Sequence, residues 1–133
     1  MGLMLPFWPA VWMVIGALAG GTGVAMAAVA AHALPQRLDA KALAGVHSAI
    51  QMQQLHALAL LFTALWVLRA GPLPATVANL AGAAFALGML LFCGSLYMSD
   101  LAGIHLGRAA PFGGILLMAG WALLALSAVL AAQ

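Results

Sequence analysis

Four long apolar stretches, separated by short polar turns, constrain this chain more than any other feature. A helix rises about 1.5 Å per residue, so it needs about 20 mostly apolar residues to cross about 30 Å of hydrocarbon. Windows that satisfy this run over 8–31, 42–68, 73–98 and 111–131, although only the second half of the second is plainly apolar. Lipid-exposed strands are excluded, because their open edges would leave backbone groups unpaired in oil. The expected fold is therefore all-α, an integral membrane four-helix bundle forming one transmembrane domain over residues 1–133. Every connection is short, which predicts an up-down-up-down order of antiparallel neighbours.

The breaks have physical causes. The segment 35–41 brings Pro35 and the first charges, Arg37, Asp39 and Lys41. The second turn carries Gly71, Pro72 and Pro74, and proline denies a helix its amide donors. The third turn covers 100–110, and Pro111 suits the first turn of a fourth helix, where its missing N–H costs nothing. Asp100 and Arg108 are placed to pair across that third loop, where an exposed pair contributes little.

Composition points the same way. Hydrophobic residues make up 67% and charged residues 5%, against about 25% charged in a soluble domain. So few charges cannot clothe a water-facing surface, and lipid must be the solvent. A net charge of +2, scattered, does not point to nucleic acid. Cys93 is the single cysteine, so no intrachain disulfide forms. Residues 1–36 contain no charged side chain, and their apolar run is longer than the core of a signal peptide. The first segment is expected to be a retained span. Arg37, Lys41 and Arg108 share one side and Arg69 the other, which weakly favours loops 1 and 3 in the cytoplasm.

Small residues recur at helical spacing. Gly16 and Gly20 form a GxxxG pair, and Gly82 with Ala86 repeats the spacing on the third helix. Such residues let helix backbones approach in lipid. Two uses are open: a homo-oligomer face, or packing inside one chain.

Antiparallel helices collect most polar residues at the face of loops 1 and 3, where a site is expected. On the second helix His47, Gln51 and Gln54 share a stripe about 60° wide, with Gln53 and His56 roughly opposite. Polar groups at depth turn toward protein or a wet cavity, so Gln53 and His56 are expected in the bundle interior. The competing reading is structural: such groups hydrogen-bond across helices at about 0.6–2 kcal/mol each. Ser95 and Tyr97 read as interfacial anchors more readily than as catalysts.

Catalytic templates fit poorly. There is no glutamate, and neither Asp39 nor Asp100 falls deep within a span. Ser95 lacks a visible base and orienting group. His32, His47, His56 and His105 show no metal-ligand spacing. No catalytic residue, metal or cofactor is therefore assigned.

Four segments resemble one family along nearly the whole chain. They are Ala30-Ala31-His32-Ala33-Leu34, Gln53-Gln54-Leu55-His56-Ala57-Leu58-Ala59, Leu91-Phe92-Cys93-Gly94-Ser95-Leu96-Tyr97, and Ala110-Pro111-Phe112-Gly113-Gly114 with the later Gly120-Trp121. They resemble the G-A-H-x-L, Y-Q-x-x-H-x-L-A, L-F-S-G-S-L-Y and T-P-x-G-G stretches of the domain-of-unknown-function 423 family. That family includes bacterial inner-membrane proteins and is similar to transmembrane protein 256. Met52, Ala30, Cys93 and Ala110 depart from its usual tyrosine, glycine, serine and threonine. The resemblance implies a four-span protein of the bacterial inner membrane with no known activity. It also singles out His32, Gln53, His56, Ser95 and Tyr97, four of them polar residues within the spans.

Three functional readings follow. The first is a non-enzymatic protein that binds a lipid or hydrophobic ligand, or serves a larger membrane complex. The second is an oligomeric transporter or channel lined by His32, Gln53, His56 and Tyr97. The third is a haem- or metal-binding redox protein using histidines.

Overall fold

A computed structural model describes residues 6–133 and contains four long helices: α1 (Phe7–His32), α2 (Ala40–Val67), α3 (Pro72–Ala102) and α4 (Ala109–Ala131). A short 3-10 turn, Leu34–Gln36, follows α1. Each of the four is long and apolar enough to cross a membrane.

The helix ends follow from local chemistry. Asp39 caps α2 by accepting the Ala42 amide at 2.8 Å. Gly71 and Pro72 start α3. The third helix runs past Met98, where the apolar window ends, to Ala102. Gly103 stops it: its φ of 69° lets the Gly103 and Ile104 amides bond back to Ser99 and Met98. Loop 3 is tied by Ser99 Oγ and His105 Nδ1 at 3.0 Å, in place of an Asp100–Arg108 pair. One Asp100 oxygen, Oδ2, instead packs against Gly45, buried and without a hydrogen-bond partner among the described residues.

Two hydrogen bonds report the helix directions. Trp12, near the start of α1, bonds Asn79, near the start of α3. Trp66, near the end of α2, bonds Ser127, near the end of α4. The first and third helices are therefore parallel, as are the second and fourth, and the bundle runs up-down-up-down. Consecutive helices pack along their lengths, with α3 and α4 the most extensive pair. The second and third helices are central, whereas α1 touches α3 only sparsely.

Burial is inverted relative to a water-soluble bundle. Leu18, Leu58, Leu90 and Met118 are each about two-thirds exposed, while Gln53, His56, Thr63, Ser95 and Ser127 are buried. Only a hydrocarbon surrounding makes that distribution favourable. The core itself gathers around Trp12, Leu60, Phe85, Met89 and Leu117.

The glycines decide how closely the helices approach. A Cβ on Gly16 would meet the Ala57 carbonyl at 2.9 Å, and one on Gly82 would meet the Trp12 indole at 2.7 Å. Gly20 is half-buried, with its nearest neighbour the Ala57 methyl. The stripe read in sequence as a possible homo-oligomer face is thus engaged inside the chain: Gly16 and Gly20 seat α2, and Gly82 seats Trp12. At Gly113 a Cβ would overlap the Phe92 backbone nitrogen, whereas at neighbouring Gly114 it would find ordinary contact with the Phe92 ring. Gly113→Ala should therefore force α3 and α4 apart and lower stability by about 1–3 kcal/mol. Gly114→Ala should be neutral or slightly stabilising. Equilibrium unfolding of both variants in mild detergent checks this, and equal effects would contradict the assigned packing.

Candidate functional site

The centre of the polar structure is Gln53, at the middle of α2 and 8% exposed. Its Nε2 donates to the Ala19 carbonyl at 2.9 Å and to Thr22 Oγ1 at 2.8 Å, both on α1. Its Oε1 accepts from the Tyr97 hydroxyl of α3 at 2.7 Å. The amide orientation follows from its partners. A carbonyl oxygen only accepts, so Ala19 requires the nitrogen, and Tyr97 must then donate. Thr22 passes its own hydrogen to Leu18 O at 2.7 Å, and the Cys93 thiol donates to Ala49 O at 3.3 Å.

Tyr97 is near the end of α3 and was read as an interfacial anchor. Its hydroxyl instead reaches Gln53 at the middle of α2. Helical side chains tilt toward the N-terminus of their own helix, and on α3 that direction points into the membrane.

These groups floor a groove of about 290 Å³ between α1 and α3. Ile15 and Ala19 form one wall, Met89, Leu90 and Gly94 the other, and the groove is open to the outside of the bundle rather than enclosed. It exists because α1 leans on α2 and meets α3 chiefly where Trp12 donates to Asn79 at 2.8 Å.

His56 is committed elsewhere, facing α4. Its Nδ1 is 2.7 Å from the Met52 carbonyl, and its Nε2 accepts from the Trp121 indole at 3.1 Å. An indole N–H only donates, so the ring is neutral with its hydrogen on Nδ1. Phe85 and Trp121 complete the cluster, their rings 5.2 Å apart and T-shaped. With both nitrogens in use, His56 can neither ligate a metal nor relay an ion without breaking one of these bonds. A third tie closes the far end: Trp66 donates to Ser127 Oγ at 2.9 Å, and Ser127 donates to the Pro74 carbonyl at 2.7 Å.

The sequence-selected residues therefore do not form one site. Gln53 and Tyr97 come together. His56 lies one turn further along α2 and turns to α4. Ser95 is buried and makes only a long contact, 3.5 Å, with Phe92 O. His32 ends α1 exposed, ten residues and about 15 Å beyond Thr22. Among the described residues no group of three or more His, Cys, Asp or Glu is placed to hold a metal.

Sequence reasoning missed Trp12, Asn79, Trp66, Trp121 and Ser127 as hydrogen-bonding residues. The signal was available. An amide, a hydroxyl or an indole N–H deep in an apolar helix needs a partner as surely as a glutamine does.

The family model described as "Protein of unknown function (DUF423)" matches residues 26–114. A UPF0382 membrane protein of Haemophilus influenzae is 36% identical over 115 residues, 86% of this chain and 90% of the relative. The UPF0382 inner membrane protein YgdD of Escherichia coli K12 is 31% identical over 118 residues, 88% of each chain. The UPF0382 membrane protein YwdK of Bacillus subtilis is 29% identical over 120 residues, covering 90% and 96%. No solved structure matches. With four helices able to span a bilayer, these likenesses make the chain a multi-pass protein of the bacterial inner membrane.

The Gln53 network predicts measurable coupling. A double-mutant cycle of Gln53→Leu and Tyr97→Phe should give about 0.6–2 kcal/mol of interaction energy. Ser95→Ala should cost close to nothing, since its hydroxyl bond is at the edge of hydrogen-bond reach. Unfolding in detergent reads both. Zero coupling would remove the Tyr97–Gln53 bond from the account.

Proposed function

The chain belongs to the DUF423 family, and from that premise we propose that it is a non-enzymatic membrane protein that holds a hydrophobic ligand in the groove between α1 and α3. The observation that carries this reading is Gly94. It lines the groove, yet a Cβ there would meet no atom within 4 Å. Packing within the chain does not require a glycine at this position. In a helix interior glycine costs up to about 1 kcal/mol relative to alanine. A glycine that keeps a groove open, rather than letting two helices touch, supports a bound guest.

The groove walls are aliphatic and its floor carries a few fixed polar atoms, a common build for a small-molecule site. Its opening to the outside of the bundle gives access from the bilayer rather than from water, so the guest is a lipid or lipid-like molecule. The transporter and redox readings draw less support. His32 is remote from the groove, and His56 has both nitrogens occupied on the side of α4.

Native mass spectrometry of protein purified in mild detergent tests the proposal. The wild type should retain a small hydrophobic species through delipidation. Gly94→Leu, whose Cβ starts in open space, should obstruct the groove, keep its helical fold and lose that species. A wild type that carries nothing, or a Gly94→Leu variant that retains the same species, would count decisively against the groove.

A further inference from the structure

We propose that the groove selects a neutral lipid headed by a hydroxyl, such as a long-chain or polyprenyl alcohol, and discriminates against phosphate-headed and carbonyl-headed lipids. The proposal rests on the reading of the groove as a binding site and adds the chemical class of its occupant.

The argument is a census of hydrogens. The polar side chains lining the groove are Thr22, Gln53, Cys93 and Tyr97. Between them they carry five donor hydrogens: two on the Gln53 amide and one each on Thr22, Cys93 and Tyr97. Every one is committed inside the protein. The amide takes Ala19 O and Thr22 Oγ1. Thr22 takes Leu18 O, Tyr97 takes Gln53 Oε1, and Cys93 takes Ala49 O. What remains is lone-pair capacity on Tyr97 Oη, Gln53 Oε1 and Thr22 Oγ1. The floor therefore presents negative partial charge and no donor.

Charge complementarity then fixes the guest. A ketone, an ether or an ester carbonyl would face lone pairs with lone pairs. A phosphate or carboxylate would need a cation, and none lines the groove. Arg37, Lys41 and Arg108 sit in or beside loops 1 and 3, and Arg69 follows α2 at the other end. A single hydroxyl satisfies the floor by donating one hydrogen. It also carries a small enough desolvation cost to reach Gln53 at mid-span, where an ionic headgroup would not go.

The test uses two matched photoprobes on the full-length protein in nanodiscs: a long-chain alkanol bearing a diazirine in its chain, and the methyl ether of the same molecule. Labelling of the segment 90–97 is read by mass spectrometry. The alkanol should label about three- to tenfold more strongly at equal concentration, the worth of one net hydrogen bond. Gly94→Leu should abolish labelling by both. Thr22→Val is near-isosteric and lies on an exposed face. It frees one Gln53 amide hydrogen toward the groove, so the ratio should fall toward one as the ether oxygen gains a donor.

Equal labelling by both probes, lost in Gly94→Leu, would overturn the hydroxyl selectivity while leaving the groove as a binding site. A preference that persists unchanged in Thr22→Val would overturn the donor census. Labelling that is absent, or indifferent to Gly94→Leu, would overturn the groove reading and this inference with it.

Discussion

Inside hydrocarbon a hydrogen-bonding group has only protein to bond with, and the rest of this structure depends on that constraint. A stranded amide or indole N–H in oil costs several kcal/mol, far more than the net gain of a typical bond in water. Each buried polar side chain within the spans is therefore driven to a partner on another helix or to its own helix backbone, whereas His47 and Gln51 in the first half of α2 are exposed. Gln53 binds α2 to α1 and α3, His56 with Trp121 binds α2 to α4, and Ser127 joins α4 to α3 and α2. Trp12 with Asn79 makes the sparse α1–α3 contact specific.

Close packing makes these ties possible. Ser127 is a short side chain and reaches the Pro74 carbonyl only because α3 and α4 run nearly backbone to backbone, with Gly88, Gly113 and Gly120 at their contacts. The opposite holds between α1 and α3, which share few contacts. That seam is bridged at one level by Trp12 and at another by the Gln53 amide, and the groove lies along it. The place where packing is loosest is also where polar atoms are accessible from the bilayer. A functional reading therefore gathers there rather than at the tightly bonded His56 cluster.

Much of the fold was legible in the sequence, because span length and the absence of charge leave few alternatives to a helical bundle. The end of α3 was the exception: the helix runs beyond the apolar window that ends at Met98 until the left-handed turn at Gly103 stops it. The site was legible only in part. The solvation argument found Gln53 and His56 as inward-facing, and they are buried. It could not separate them, because a stripe on one helix does not say which neighbour stands before each residue. His32 and Tyr97 show the same limit from the other side. Both sit near one membrane face in the chain, yet side-chain tilt carries Tyr97 inward while His32 ends its helix exposed. The dual use of small residues, tight contact at Gly113 and open space at Gly94, is likewise invisible without the neighbouring helix.

The most direct measurement is side-chain amide NMR of Gln53 in lipid nanodiscs made in heavy water. Its two amide hydrogens should exchange slowly, one close to the Thr22 hydroxyl and the other facing the Ala19 carbonyl. Fast exchange with water, or through-space contacts to lipid chains in place of those to α1, would contradict the claim that oil drives this amide into the protein.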